Sequence, residues 1–321
     1  MDILILGGAG FLGCNLVRRC IQDASNRVLV VDSLDPKLGS TMDHLRDVES
    51  SVRFVQGDMR DDTLMREAVQ GRDVVFNCAA QTSHPLSMSD PLYDASINCL
   101  GNLTLLEALR EADPDRKTVV VYTSASTVVG EAEGELIDET SAQDPRDIYS
   151  ANKGAAERYY RIYHRVHGLK TVVLRFANLY GPYGKGLPAF GFINYFIDLA
   201  WRDQDITLYG DGAQRRNVMY VEDAAEVLYQ SALNPRLVGQ PRFAVHEEHL
   251  SASEIAHAIV SAFERGRVIN VEWPEERRRI DVGDVLISPD KLWEITDWRP
   301  RFSFAEGLAQ TRKTMEAAQR V

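Results

Sequence analysis

Positive charge is in deficit in this chain. Its 321 residues carry 36 Lys and Arg against 47 Asp and Glu, a formal net charge of −11. A polyanion is gripped through clustered basic side chains, so no nucleic acid partner is expected. The one basic cluster, Arg277-Arg278-Arg279, follows Glu275 and Glu276 and reads as a solvated face or an ion-pair network. Cysteine is far sparser. Cys14, Cys20, Cys78 and Cys99 fall in the first third with no CxxC pair and no Cys/His ligand spacing, so they read as reduced, buried small residues and no metal is expected. No run approaches the ~20 apolar residues that span a bilayer. The chain opens on the strand-like MDILIL rather than on a basic leader, and a cytoplasmic location with no membrane partner is the expectation. Internal repeats and low-complexity tracts are also missing, which excludes solenoids and tail-like proteins.

What is present is an ordinary globular composition, 45% hydrophobic and 26% charged, on a chain long enough for one extended unit or two packed lobes. Short apolar runs at 3–6, 27–32, 52–58, 73–80, 118–124 and 171–178 alternate with helical patterns such as 61–70, 91–112 and 148–167. Fully apolar runs read as strands buried on both faces, hence a parallel sheet. Their alternation with helices predicts an α/β, doubly wound fold with right-handed crossovers. Beyond about residue 180 the regularity fades at GPYGKGLP. The expected division is 1–180 as the first domain, rejoined by 218–245, with 181–217 and 246–321 forming a smaller C-terminal α/β substrate lobe.

In LILGGAGFLGCNL, Gly7, Gly10 and Gly13 follow the first strand and open a helix. Without side chains the backbone turns tightly and approaches a pyrophosphate at the helix N-terminus. Asp32 ends the second strand 19 residues after Gly13, where a carboxylate accepts from a ribose 2′-hydroxyl and repels a 2′-phosphate. The cofactor is therefore expected to be NAD rather than NADP. Asp58, in QGDMR, is placed for an adenine amino group, with a plain surface turn as the alternative.

In IYSANKGAAERYY, Tyr149 and Lys153 stand four apart at a helix start, so both project from one face. A neighbouring ammonium and the positive nicotinamide are expected to lower the phenol pKa from its reference near 10, making Tyr149 a general base near neutral pH.

Residues 7–13, Asp32, Asp58, CAA (78–80), TSASTVVG (123–130), Tyr149, Lys153, LRFANLYGP (174–182), GDGAQRRNVMYVED (210–223) and SPDKLWEITDWRPRFSFAEGL (288–308) together resemble the extended short-chain dehydrogenase/reductase superfamily. Within it the resemblance is to the nucleotide-sugar epimerase and dehydratase group, of UDP-glucose 4-epimerase type, and it covers nearly the whole chain. It implies a Rossmann-type first domain, a nucleotide-sugar substrate and a homodimer through a four-helix interface, to which apolar positions such as Leu103, Leu106 and Tyr159 are candidate contributors. It further implies Phe11, Leu12, Met59, Ala79 and Ala80 at the cofactor, and Asn98 and Ser83 lining the cofactor or substrate cleft. By the same resemblance Lys153 is expected to orient the nicotinamide ribose, and Asn178 and Arg216 to contact the substrate, Arg216 at its diphosphate. A guanidinium fork suits phosphate oxygens, with a salt bridge to Asp211 or Glu222 as the alternative.

Two departures stand out. Ala125 occupies the position where relatives carry the Ser or Thr that bonds the reacting hydroxyl, leaving Ser126 or Ser124 to supply it. Asp281 replaces a phosphate-clasping arginine, with Arg279 as the compensating candidate. The resemblance implies that Tyr149 takes a proton from a sugar hydroxyl, usually at C4, while NAD takes a hydride. Dehydratases then use an Asp-Glu pair where this chain has Ser126-Thr127, and decarboxylases keep a Glu at the second position, which disfavours both. Epimerisation at C4 of a UDP-hexose or UDP-hexuronate needs least. A CDP-sugar 2-epimerase, a net dehydrogenase and a non-catalytic NAD-binding protein stay open. Phe190, Phe192, Tyr195 and Phe196 read as helix core or as a base or sugar platform.

Overall fold

The computed structural model describes residues 1–130, 136–275 and 283–318. Its strands are β1 (Asp2–Leu6), β2 (Arg27–Asp32), β3 (Arg53–Gln56), β4 (Val74–Asn77), β5 (Val119–Ala125), β6 (Leu136–Ile137), β7 (Lys170–Phe176), β8 (Asn178–Tyr180), β9 (Ile206–Tyr209), β10 (Arg215–Tyr220), β11 (Pro241–Phe243), β12 (His249–Ser251), β13 (Val268–Val271) and β14 (Leu286–Ile287). The helices are α1 (Phe11–Ile21), α2 (Asp62–Ala68), α3 (His84–Ser89), α4 (Pro91–Ala95), α5 (Asn102–Ala112), α6 (Ile148–His167), α7 (Phe192–Trp201), α8 (Val221–Leu233), α9 (Ala252–Phe263), α10 (Asp290–Trp293) and α11 (Phe304–Ala318).

Seven strands form one parallel sheet in the order β11-β7-β5-β4-β1-β2-β3. Apolar side chains cover both faces, as the unbroken runs of Val, Ile and Leu require. On one face α1 and α8 close a layer containing Ile3, Ile5, Val30, Val121 and Leu228. On the other, α2, α5 and α6 close a layer containing Leu4, Val75, Leu106 and Tyr160. The order reverses between β1 and β4, and in open α/β sheets a crevice for ligands forms outside the strand ends at that switch point.

The chain crosses between lobes more than once. β8, which follows β7 directly, leaves the main sheet to pair with β10, and β10 pairs in turn with β12. α8 then returns to pack on α1, and β11 completes the main sheet beside β7. A third apolar cluster, with Ile193, Ile255, Ile259 and Leu308, joins α7, α9 and α11 around β9 and β10. The pattern expected as one helix over 91–112 is α4, then a π-helical turn at Ser96–Gly101, then α5. Wide turns of this kind recur beside functional sites. Leu106 is wholly buried in its own subunit and faces no partner, because α5 turns it onto the sheet, while Leu103 and Tyr159 are half-buried. The strongly exposed apolar side chains on these helices are instead Leu92 (82%), Leu100 (60%), Ile162 (50%) and Val166 (68%).

Candidate functional site

A cavity of about 410 Å³ opens at the switch point, within the range of small-molecule sites. Its floor is the turn after β1. Gly7 sits at φ +73°, and a Cβ there would lie 2.7 Å from the Ala79 backbone nitrogen. A Cβ on Gly13 would overlap the Gly7 carbonyl oxygen. Only glycine lets β1, the end of β4 and the first turn of α1 converge, leaving the N-terminus of α1 open for an anion. Gly10, Phe11, Leu12, Met59, Ala79 and Ala80 line the same cavity.

Asp32, 5% exposed, forms the rim beyond the turn. Its Oδ2 accepts from the Ala9 amide at 2.9 Å, and its Oδ1 from the Leu34 amide at 2.9 Å and Ser40 Oγ at 2.8 Å. A carboxylate has about four acceptor sites, so room remains for a ribose hydroxyl. Asp58 also lines the cavity, but its oxygens are forked by Arg60 at 2.9 and 2.6 Å. Burial raises the Asp58 pKa, and Arg60 outweighs burial to hold it below the usual carboxylate value.

Tyr149 and Lys153 meet at the other end of the cavity, in the first turns of α6. Asp147 caps this helix by accepting from the Ser150 amide at 2.7 Å. Behind the pair, wholly buried Asp94 takes bonds from Gln81 (2.6 Å), Asn152 (2.7 Å) and Asn98 (3.1 Å), tying α4 and the π turn to α6. Lys153 Nζ donates to the Thr123 carbonyl at 2.7 Å. Burial brings its pKa down to about 8. One turn further on, Glu157 forks buried Arg175 at 2.8 and 2.7 Å.

The protein's own groups do not lower the Tyr149 pKa as expected. Burial pushes the phenol up, and the Asp94 and Asp147 carboxylates push the same way. Lys153 Nζ lies 6.0 Å from the phenol ring centroid. Any activation must therefore come from positive charge brought by the cofactor.

Ser124, Ala125, Ser126 and Thr127 line the cavity at the end of β5. The Ser124 hydroxyl is buried with no partner among the described residues, whereas Thr127 is engaged by Ser150 at 2.8 Å. Asn178 and Arg216 also reach the lining, from β8 and β10. Arg216 bonds the carbonyls of Arg215 at 2.8 Å and Gly283 at 2.5 Å.

Ser83 and Asn98 are not part of the lining. Ser83 caps α3 by accepting from the Leu86 amide at 3.2 Å. Asn98 is 1% exposed and spends its amide on Gln81 and Asp94. Arg279 and Asp281 lie outside the described residues. The aromatic set divides: Phe190 and Phe192 line the cavity, while Phe196 is buried in the smaller lobe.

Three lining residues had no sequence signal strong enough to single them out. His84 and Thr82 follow the β4 end in a stretch that reads only as loop. Lys185, in the loop after β8, bonds the Leu38 carbonyl and lies 4.0 Å over the Phe190 ring. Burial brings its pKa down to about 8. A lone lysine inside a glycine-rich run carries no periodicity that points into a cleft. Among the described residues no group of His, Cys, Asp and Glu is placed to hold a metal ion.

A profile of the NAD dependent epimerase/dehydratase family matches residues 3–245. The low-salt glycan biosynthesis protein Agl12 of Haloferax volcanii is 32% identical, covering 96% of both chains. The dTDP-glucose 4,6-dehydratase 1 of Escherichia coli is 29% identical over 98% of this chain and 92% of its own. The UDP-glucose 4-epimerase of Thermus thermophilus, solved as a complex with NAD, superposes with a TM-score of 0.85 at 29% identity, covering 99% of this chain and 100% of that one. Glycine turn, acidic rim and tyrosine-lysine pair thus sit in one cleft of a parallel sheet, and the chain belongs to the NAD dependent epimerase/dehydratase family.

Proposed function

We propose that this protein epimerises a nucleotide sugar, at C4 of a UDP-hexose or UDP-hexuronate. One observation carries the choice within the family. Among the described residues, the only carboxylates lining the cleft are Asp32 and Asp58, both at the cofactor end. Among the described residues, the end that holds Tyr149 offers Ser124, Ser126 and Thr127 and no lining acid to expel water from C6 or to steer a decarboxylation.

The cradle fits a dinucleotide: Gly7, Gly10 and Gly13 leave the helix N-terminus open, and Asp32 keeps an acceptor site for a ribose hydroxyl. When bound, NAD supplies the oxidising power and takes back no net electrons over the cycle. Tyr149 takes the hydroxyl proton and later returns it. Lys153, fixed on the Thr123 carbonyl, holds the nicotinamide ribose. Ser124 or Ser126 bonds the reacting oxygen in place of Ala125. Asn178 contacts the nucleotide sugar from the end of the first domain, and Arg216 holds its diphosphate from the smaller lobe, formed by 181–217 and 246–321 beside the cofactor domain.

We further place the protein in the cytoplasm as a homodimer. No helix among the described residues is long and apolar enough to cross a membrane. Leu92, Leu100, Ile162 and Val166, exposed on α4, the π turn and α6, are the apolar side chains available for the four-helix interface.

Purified protein incubated with UDP-, dTDP-, CDP- and GDP-sugars, with products resolved by NMR, tests the reading. A C4 epimer formed without accumulating NADH is the expected outcome. A 4-keto-6-deoxy sugar, a pentose or a C2 epimer would move the chain to another branch, and no turnover with any donor would leave it a binding protein.

A further inference from the structure

His84 stands at the N-terminus of α3 with no part in the reaction described above. Its Nδ1 is 2.5 Å from Asp147 Oδ2. Its ring meets the Tyr149 ring edge-on, with centroids 4.7 Å apart. Its side chain is 44% exposed and lines the cleft. Asp147 is itself the cap of α6, two residues before Tyr149. One carboxylate therefore holds both the helix that carries the phenol and the imidazole that abuts it.

We propose that His84 is a positioning residue for Tyr149. It donates to Asp147, weakens the pull of that carboxylate's charge on the phenol, and fixes the phenol ring against the cleft wall. This rests on Tyr149 being the base. An ionised carboxylate only accepts, so the 2.5 Å contact makes Nδ1 the donor and leaves Nε2 free to bond elsewhere. Burial raises the Asp147 pKa, and the bonds from His84 and the Ser150 amide outweigh it, holding the carboxyl below its usual value. An uncovered charge at this range opposes formation of tyrosinate.

The other charged groups around the pair act on the phenol without His84. Asp94, from α4, is buried behind Tyr149 and satisfied by amides. Lys153 lies on α6 one turn along. The short turn Pro188–Phe190, which also packs on α3, carries no ionisable side chain.

The test reads the phenol directly in the NAD-loaded protein, as the tyrosinate absorbance difference between each variant and its Tyr149→Phe counterpart across pH. His84→Gln is expected to leave about three- to tenfold less tyrosinate at a fixed pH, because the Asp147 charge is no longer covered. His84→Gln/Asp147→Asn is expected to recover most of it, since asparagine still caps the helix and the charge is gone. If His84→Gln titrates as the parent does, or if the double variant stays as low as the single, His84 only fills space and the proposal is overturned. If Tyr149→Phe leaves the titration of the parent unchanged, the base assignment falls first and this proposal with it. The two failures are told apart by which pair of spectra coincides.

Discussion

A single methyl group at Gly13 has no place to go, because it would overlap the Gly7 carbonyl at the mouth of α1. Gly13→Ala is expected to lower NAD affinity at least a hundredfold and to destabilise the chain by a few kcal/mol, as backbone overlaps at special positions do; calorimetric titration with NAD checks the first and thermal unfolding the second. Lys153 gives a pH signature. Its folded pKa of about 8 lies below the ordinary value of 10.5, so between those limits the unfolded chain holds more protons and stability rises with pH. The gain is about 3 kcal/mol. Unfolding of the wild type and of Lys153→Met, compared from pH 7 to 10.5, should show that gain in the wild type only. For the reacting hydroxyl, Ser124→Ala/Ser126→Ala is expected to cut kcat at least tenfold, about 1.4 kcal/mol of barrier, with NAD binding intact. Unchanged kcat would mean that neither serine replaces the missing hydroxyl at Ala125. At this scale the glycines, Asp32, Tyr149 and Lys153 were legible because each is a residue type that backbone geometry or chemistry demands at a fixed offset from a strand or helix end. His84 and Lys185 were not, since they reach the cleft through tertiary contacts that leave no local pattern.

At the scale of elements, α6 does most of the joining. Its cap presents Tyr149, its second turn Lys153, and its third Glu157, which is 1% exposed and paired with Arg175 of β7, 3% exposed. Removing one member of a buried pair strands the other in a poorly solvated site, typically at 3–5 kcal/mol, whereas replacing both with apolar residues is often nearly neutral. Glu157→Gln should therefore destabilise far more than Glu157→Leu/Arg175→Met, as denaturant melts would show; equal losses would mean that packing rather than charge dominates there. Strands β1 to β5 and β7 read correctly from sequence to within a few residues, because buried parallel strands are continuous apolar runs. The π turn at Ser96–Gly101 did not. Its residues suit an ordinary helix, and the wider turn is held by side-chain bonds such as that of Asn98 to Gln81 and Asp94, which no periodicity encodes.

At the scale of the molecule, Leu92, Leu100, Ile162 and Val166 are large apolar side chains that α4, the π turn and α6 leave exposed. Leu92→Glu/Ile162→Glu is expected to yield a monomer by light scattering coupled to size exclusion, with the cleft still binding NAD. A dimer that persists would place the interface elsewhere. The doubly wound order was legible from strand-helix alternation, as was the return of 218–245 to the first domain, while the pairing of β8 with β10 and of β10 with β12 outside the main sheet was not, because short strands that pair with distant segments show only their own apolarity.

The late arrival of β11 sets a condition on synthesis. Until residues 241–243 have left the ribosome, β7 stands as an uncovered edge of a nearly finished sheet, with its backbone donors and acceptors bare. Fragments ending near residue 180 should consequently self-associate rather than fold as a free nucleotide-binding half, and a growing chain needs shelter over that interval of some sixty residues.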